Sequence, residues 1–335
     1  MTVLVTGASG FLGRAITRCL LHNGVTVRAL IRPGRVVDAA GAEVCEGDVC
    51  DAASVARALE GVEGVVHAAA RVATTGAWEE FAEVNVRGTR RVIRAAVAAG
   101  VRRIVHVSSL SVYAVPADGV TVTEESPYES EAEARGNYSR SKLAADRAAL
   151  HSARQGAPVV VLRPGVLYGP GKRPPLARQS VSAGPFRLLL ARPGYILPMA
   201  YVDNVADAVA LALRCEAAVG QAFTIVDENV RQAEYVEQYR AASGEGWRAL
   251  CVPVGAVAIA ALVAERTFRL LRRRPPVTYH QVRRATWSAI YDCTRARRVL
   301  GWQPAVNVAE GLRRTFDSLR GPGSATVTPA MVSAT

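Results

Sequence analysis

Tyr138 and Lys142 stand four residues apart in the stretch GNYSRSKLAAD, and Lys142 is one of two lysines in a chain that otherwise takes its positive charge from arginine; the other is Lys172. A helical spacing of four puts both side chains on one face. A phenol with an ordinary pKa of about 10 exchanges protons poorly at neutral pH, and an adjacent ammonium favours its ionised form. Lysine also has three rotatable donors, so it can bond a ribose hydroxyl of a bound ligand while it acts on the phenol. The planar fork and very high pKa of arginine suit neither task. Proton exchange at an alcohol or carbonyl oxygen needs a further hydroxyl to hold that oxygen, and VHVSSLSVY supplies Ser108, Ser109 and Ser111.

A second constellation opens the chain. VTGASGFLG places Gly7, Gly10 and Gly13 between an apolar run and a helical stretch. Glycines there permit the tight turn, let the backbone approach a pyrophosphate and let the helix pack on the strand, while the amides of Ser9, Gly10, Phe11, Leu12 and Gly13 face the anion. This is a dinucleotide cradle. At the end of the second apolar run, an acidic residue would select a free ribose 2′-hydroxyl, whereas arginine suits a 2′-phosphate. RALIRPGR offers Ile31 and then Arg32, with Arg28 and Arg35 near, so NADP is expected, with NAD as the alternative. Asp48 and Val49 in EGDV are placed to meet the adenine ring; the other reading of Asp48 is a cap for the following helix.

These residues need a scaffold that gathers strand ends. TVLVT, VTVRALI, AEVCEGD, GVVHAAA, RRIVHVSS and PVVVLRPG read as strands apolar on both faces, separated by alanine-rich helical stretches. That alternation belongs to an α/β, doubly wound parallel sheet. The expected division is a cofactor-binding domain over residues 1–168, a smaller, mostly helical substrate-binding lobe over 169–320 that returns the strand QAFTIVD to the sheet, and a disordered tail over 321–335. The irregular, Pro-, Gly- and Arg-rich segment after Gly169 reads as loop, and residues 233–319 read as helical.

The bulk composition excludes several classes. Half of the 335 residues are hydrophobic and 21% are charged, as in ordinary globular proteins. The net charge of +12 comes from dispersed arginines without a nucleic-acid-binding motif, so no nucleic-acid partner is expected. Six scattered cysteines form no C-x-x-C pair and suggest neither disulfides nor a metal site. The N-terminus runs straight into TVLVTGASG without signal-peptide features, which predicts a cytoplasmic protein. Val252 to Ala264 is uninterrupted apolar sequence, followed by Arg266, Arg269 and Arg272 to Arg274. It is too short for the roughly 20 residues of a membrane span. One reading makes it a core helix of the lobe; the sharper one rests it on anionic membrane as a peripheral contact.

Taken together, TGASGFLG, GDV, VVHAAA, VNVRGT, SSLSVY, YSRSK, LRPGVLYGPG, YVDNVADA and LGWQP resemble the extended short-chain dehydrogenase/reductases, a family with a Rossmann domain. The resemblance implies that Ser109 is the catalytic serine, with Tyr138 as acid/base and Lys142 as its partner. It further implies that Asn85 supports the site, that Ala68, Ala69 and Ala70 lie along the cofactor, and that Pro164 and Gly165 sit against the nicotinamide. The arginine–aspartate pair usual in nucleotide-sugar enzymes is absent from GYILPMAYVDNVADA, and no R-x-x-G-D follows. The chain is closer to the 3β-hydroxysteroid dehydrogenase and dihydroflavonol reductase branch. The expected activity is NADP-dependent alcohol–ketone interconversion on an apolar small molecule; a nucleotide-sugar epimerase or dehydratase with tightly bound NAD(P) is the alternative. Paired helices in this family also allow a homodimer.

Overall fold

The computed structural model describes residues 1–37, 40–73, 75–114, 120–133, 135–176, 180–191, 194–270 and 288–320. The expected tail and Arg272 to Arg274 lie outside the described residues. The first half alternates β1 (Thr2–Thr6), α1 (Phe11–His22), β2 (Thr26–Ile31), β3 (Glu43–Glu46), α2 (Ala52–Ala58) and β4 (Gly64–His67). A long helix follows: α3 (Trp78–Phe81) widens to π pitch over Ala82–Arg87 and returns to α-helix as α4 (Gly88–Ala98). Then come β5 (Arg103–Val107), β6 (Thr121–Val122), α5 (Asn137–Arg154) and β7 (Val159–Pro164).

Seven strands form one parallel sheet in the order β3-β2-β1-β4-β5-β7-β12, where β12 is Ala222–Ile225. Residues alternate between the faces. Val3, Val5, Val105 and Val160 pack with Ile16 and Leu20 of α1 and with Val205 and Val209 of α6 (Val202–Arg214). Leu4, Val65, Ile104 and Val159 pack on the opposite face with Val55, Val92 and Ala149. Burial on both faces explains the continuous apolar runs. Chain order reverses between β1 and β4, and this switch point opens a crevice at the carboxyl edge.

The lobe differs from the expectation. Between β7 and β12 lie β8 (Val166–Tyr168), β9 (Ser180–Ala183), β10 (Phe186–Ala191) and β11 (Ile196–Tyr201). After β12 come β13 (Glu228–Arg231), α7 (Gln232–Ser243), β14 (Arg248–Pro253), α8 (Val254–Leu270), β15 (Ile290–Tyr291) and α9 (Val308–Arg320). Two three-stranded sheets, β14-β10-β9 and β13-β11-β8, and the β6-β15 pair are formed; β9 and β10 occupy the stretch read as loop, and β14 and β15 the stretch read as helical. Tertiary pairing decided β14 and β15, whose partners are remote in sequence, as Phe186 is from Arg248 and Thr121 from Ile290. A third core of Tyr168, Met199, Tyr201, Tyr235, Tyr239, Trp247 and Phe316 fills the lobe.

Candidate active site

Because every strand of the large sheet is parallel, their carboxyl ends share one edge. That edge receives the glycine loop after β1, Arg32 after β2, Asp48 and Val49 after β3, Ala68 to Ala70 after β4, Ser109 after β5, and Pro164 and Gly165 at the end of β7. Parallel topology thus brings every sequence-predicted strand-end residue to the same side of the molecule.

The glycine loop is built by close approach. Gly7 has φ +73° and a Cβ there would lie 2.8 Å from Ala69 Cα; one on Gly13 would lie 2.0 Å from the Gly7 carbonyl oxygen. Gly10 N donates to Gly7 O at 2.9 Å to close the turn. Gly10 is also the N-cap of α1 and provides no side-chain cap, so the first-turn N–H groups keep no side-chain acceptor. An uncapped twelve-residue helix beneath a loop with glycines at its points of close approach fits a pyrophosphate. Arg32 is exposed beyond β2. Arg28 is held elsewhere, donating to Glu43 and to the carbonyls of Ala58 and Glu60. Asp48 accepts from Cys50 N at 2.9 Å, whereas Asp51 caps α2 through Ala53 N and Ser54 N, so the helix-cap reading of Asp48 is corrected.

Asn85 is 1% exposed and ties three elements together. Its amide nitrogen donates to Arg71 O at 3.1 Å and to Ser141 Oγ at 2.8 Å, and its oxygen accepts from Arg71 N at 2.7 Å. Asn85 lies within the π segment, a distortion that alters which side chains a helix turns inward. It links the chain just past Ala70 to α5.

Helix α5 begins after Gly136, whose φ of +89° suits glycine. Tyr138 lies in its first turn, half-buried, and Lys142 lies one turn further and buried. Lys142 Nζ donates to Val107 O at 2.8 Å, fixing the ammonium at the end of β5, beside Ser108 and Ser109. Burial pushes Lys142 down to about 8, opposed by the Asp146 carboxylate. Ser109 is partly exposed and its Oγ accepts from Ser111 N at 3.2 Å. Ser108 is turned inward instead and donates to Asp146 at 2.5 Å, which separates the roles of the two neighbouring serines.

Two groups beneath this site were not singled out from sequence. Asp146 and Arg163 form an ion pair at 2.7 Å with side chains 0% and 2% exposed. Tyr128 donates to Asp146 at 2.8 Å, and Arg163 donates to Tyr113 at 2.9 Å and to Tyr128 at 2.7 Å. The pair ties α5 to the strand that ends in Pro164. Its signals were an aspartate four residues after Lys142 and an arginine within the apolar run PVVVLRPG. The second group is a stack of His67 on His106 with ring centroids 5.5 Å apart. Burial and then the Lys142 charge push His67 down to about 3. Its neutral ring bridges Thr6 and Thr89 at 2.8 and 2.9 Å. Burial likewise holds His106 far below the usual imidazole range.

A parallel sheet with its switch point at an uncapped glycine loop, and a buried lysine one turn from a tyrosine, define an enzyme of the extended short-chain dehydrogenase/reductase class. The chain belongs to the NAD dependent epimerase/dehydratase family, whose sequence model matches residues 3–225. It is 32% identical over 94% of its length to a 2-alkyl-3-oxoalkanoate reductase of Stenotrophomonas maltophilia, covering 98% of that protein. It is also 32% identical, over 91% of its length and 94% of the other chain, to the sterol demethylase protein B of Methylococcus capsulatus. Among solved structures, that of gox2253 superposes with a TM-score of 0.84 at 26% identity, covering 97% of this chain and 99% of the other.

Proposed function

We propose that the protein is an NADP-dependent oxidoreductase that interconverts a secondary alcohol and a ketone on an apolar, steroid-, flavonoid- or terpenoid-like small molecule. The anchoring of Lys142 on Val107 O supports this reading, since the bond is to the carboxyl end of β5, two residues before Ser109, from the helix that also carries Tyr138. A bound nicotinamide dinucleotide would supply the two-electron exchange with the substrate carbon.

In this reading the chain's own residues handle the oxygen and the proton. Tyr138 gives the proton to the ketone oxygen, or takes it from the alcohol. Ser109 donates a hydrogen bond to that oxygen, and Lys142 holds a ribose hydroxyl while favouring the ionised phenol. Ser9, Gly10, Phe11, Leu12 and Gly13 would receive the pyrophosphate, and Arg32 the 2′-phosphate. Residues 1–168 would then bind the dinucleotide and residues 169–320 the substrate. An apolar substrate is supported by the missing arginine–aspartate pair and by relatives named as a 2-alkyl-3-oxoalkanoate reductase and a sterol demethylase protein.

The family description, which names epimerases and dehydratases, favours a second reading in which hydride returns to the same substrate. The two readings separate by experiment. Thermal-shift titration with NADP and NAD ranks the cofactors, and a ketone and alcohol panel is then followed by the absorbance of reduced nicotinamide. Net consumption or formation supports the oxidoreductase. Cofactor retained through purification, with substrate converted and no net redox change, supports the epimerase and overturns the first reading.

A further inference from the structure

The helix α8 has a composition that a water-facing helix should not have. From Val254 to Ala264 it carries no polar side chain, and a helix apolar on all sides is normally covered on all sides. Here one face is buried through Ala258 and Ala261, with Val254 and Val257 packed beside them. The opposite face is exposed: Ile259 at 66%, Val263 at 59% and Leu262 at 37%. The reading of 252–264 as a core helix is therefore corrected; its first two residues end β14 and the rest presents an apolar ridge to the outside.

Charge identifies what covers that ridge. Ile259, Val263 and Arg266 succeed one another along the exposed side, and Arg266 and Arg269 are both exposed at the end of the helix. Residues 266–284 contain seven arginines and no aspartate or glutamate. A second copy of this chain would bring a like-charged arginine cluster toward the first, and a nucleic acid would leave the apolar ridge in water. An anionic phospholipid surface satisfies both features, with the ridge among the acyl chains and the arginines at the phosphates. No helix among the described residues is long and apolar enough to cross a membrane. The eleven apolar residues extend about 16 Å at the helical rise, against a hydrocarbon core of about 30 Å.

We infer that the outward face of α8, with Arg266 and Arg269 at its end, docks the protein on anionic phospholipid bilayers as a peripheral contact. None of these residues is among those assigned to the reaction, so its test does not depend on turnover.

Flotation of the full chain with phosphatidylcholine vesicles, with or without about one third phosphatidylglycerol, tests it at low and at physiological salt. The native protein is expected to float with the anionic vesicles only. Ile259→Asp with Val263→Asp should abolish flotation, and Arg266→Gln with Arg269→Gln should weaken partitioning about thirty-fold, from the contribution of each basic side chain near such a surface. Both variants change exposed side chains, and an unchanged melting temperature and unchanged NADP thermal shift would show that fold and cofactor site are intact. Native protein that stays with the solvent, or a double-aspartate variant that floats as well as the native protein, overturns the proposal. So does a native dimer in sedimentation velocity that the double-aspartate variant converts to monomer, because a second copy would then cover the ridge.

Discussion

Replacing Asp146 by asparagine removes one charge from the interior while leaving the side chain nearly the same size. The native carboxylate accepts from Arg163 Nε at 3.0 Å and Nη2 at 2.7 Å, from Ser108 Oγ at 2.5 Å and from Tyr128 Oη at 2.8 Å. Asparagine keeps one acceptor oxygen and presents N–H donors at the other position, so part of this network faces donor against donor. The Arg163 side chain, 2% exposed, would hold an uncompensated charge. Breaking a buried pair in this way costs about 3–5 kcal/mol, a large share of a typical total stability of about 5–15 kcal/mol. The second effect falls on Lys142, one helical turn away. Burial pushes that ammonium down to about 8 and the Asp146 charge works against the shift. Two unit charges roughly 6 Å apart interact by about 3 kcal/mol at an effective dielectric constant of about 20. Without the carboxylate the neutral lysine is favoured, so the proton leaves at lower pH. The alkaline limb of kcat/KM for the dinucleotide, expected near pH 8 in the native enzyme, should move down by about one pH unit or more. Urea unfolding followed by circular dichroism measures the first effect and the pH dependence of kcat/KM the second. Asp146→Glu, which keeps the charge, should hold the limb near its native position even if packing suffers. A native unfolding midpoint together with an unmoved limb in Asp146→Asn would refute the electrostatic reasoning.

Three further outcomes are expected. Tyr138→Phe should lower turnover by about 10² to 10⁴, the contribution of a lost general acid or base, while the dinucleotide dissociation constant stays within a few-fold of native; near-normal turnover would remove Tyr138 from the proton role. Arg32→Ala should weaken NADP by about ten- to a hundred-fold through loss of a charge-assisted bond and leave NAD unchanged, as read by fluorescence titration of both; equal effects on the two cofactors would mean that Arg32 does not meet a 2′-phosphate. Gly13→Ala would set a methyl group 2.0 Å from the Gly7 carbonyl oxygen, so the loop must open; the dinucleotide-induced thermal shift should vanish, and a retained shift would show that the loop is not the anion cradle.

The readable part of the fold was the part whose segments are buried by their own periodicity. TVLVT, GVVHAAA and PVVVLRPG are apolar on both faces because helices cover both faces of the sheet, and a strand so covered carries that mark in its own residues. The strands β10 and β14 have no such mark, since their pairing joins residues dozens of positions apart and neither partner signals the other, and β9 joins β10 only as a short hairpin inside a Pro-, Gly- and Arg-rich stretch. In the site, Tyr138, Lys142 and the glycine loop stood out because residue type and short spacing carry their chemistry. Asp146 and Arg163 were overlooked because a charged residue in a helix or strand reads as solvated until its neighbours are known.

By itself, the sequence determined the strands and helices of the large parallel sheet, the glycine loop, the tyrosine–lysine spacing and the arginine after β2, all local properties of a few adjacent residues. The tertiary structure alone decided that Ser108 turns inward to Asp146 while Ser109 stays partly exposed, that Asn85 joins the segment after β4 to α5, and that α8 leaves Ile259 and Val263 facing outward. The reason is physical: burial and hydrogen-bond partnership belong to pairs of residues distant along the chain, and they come into being only when the sheet closes and the helices settle on it.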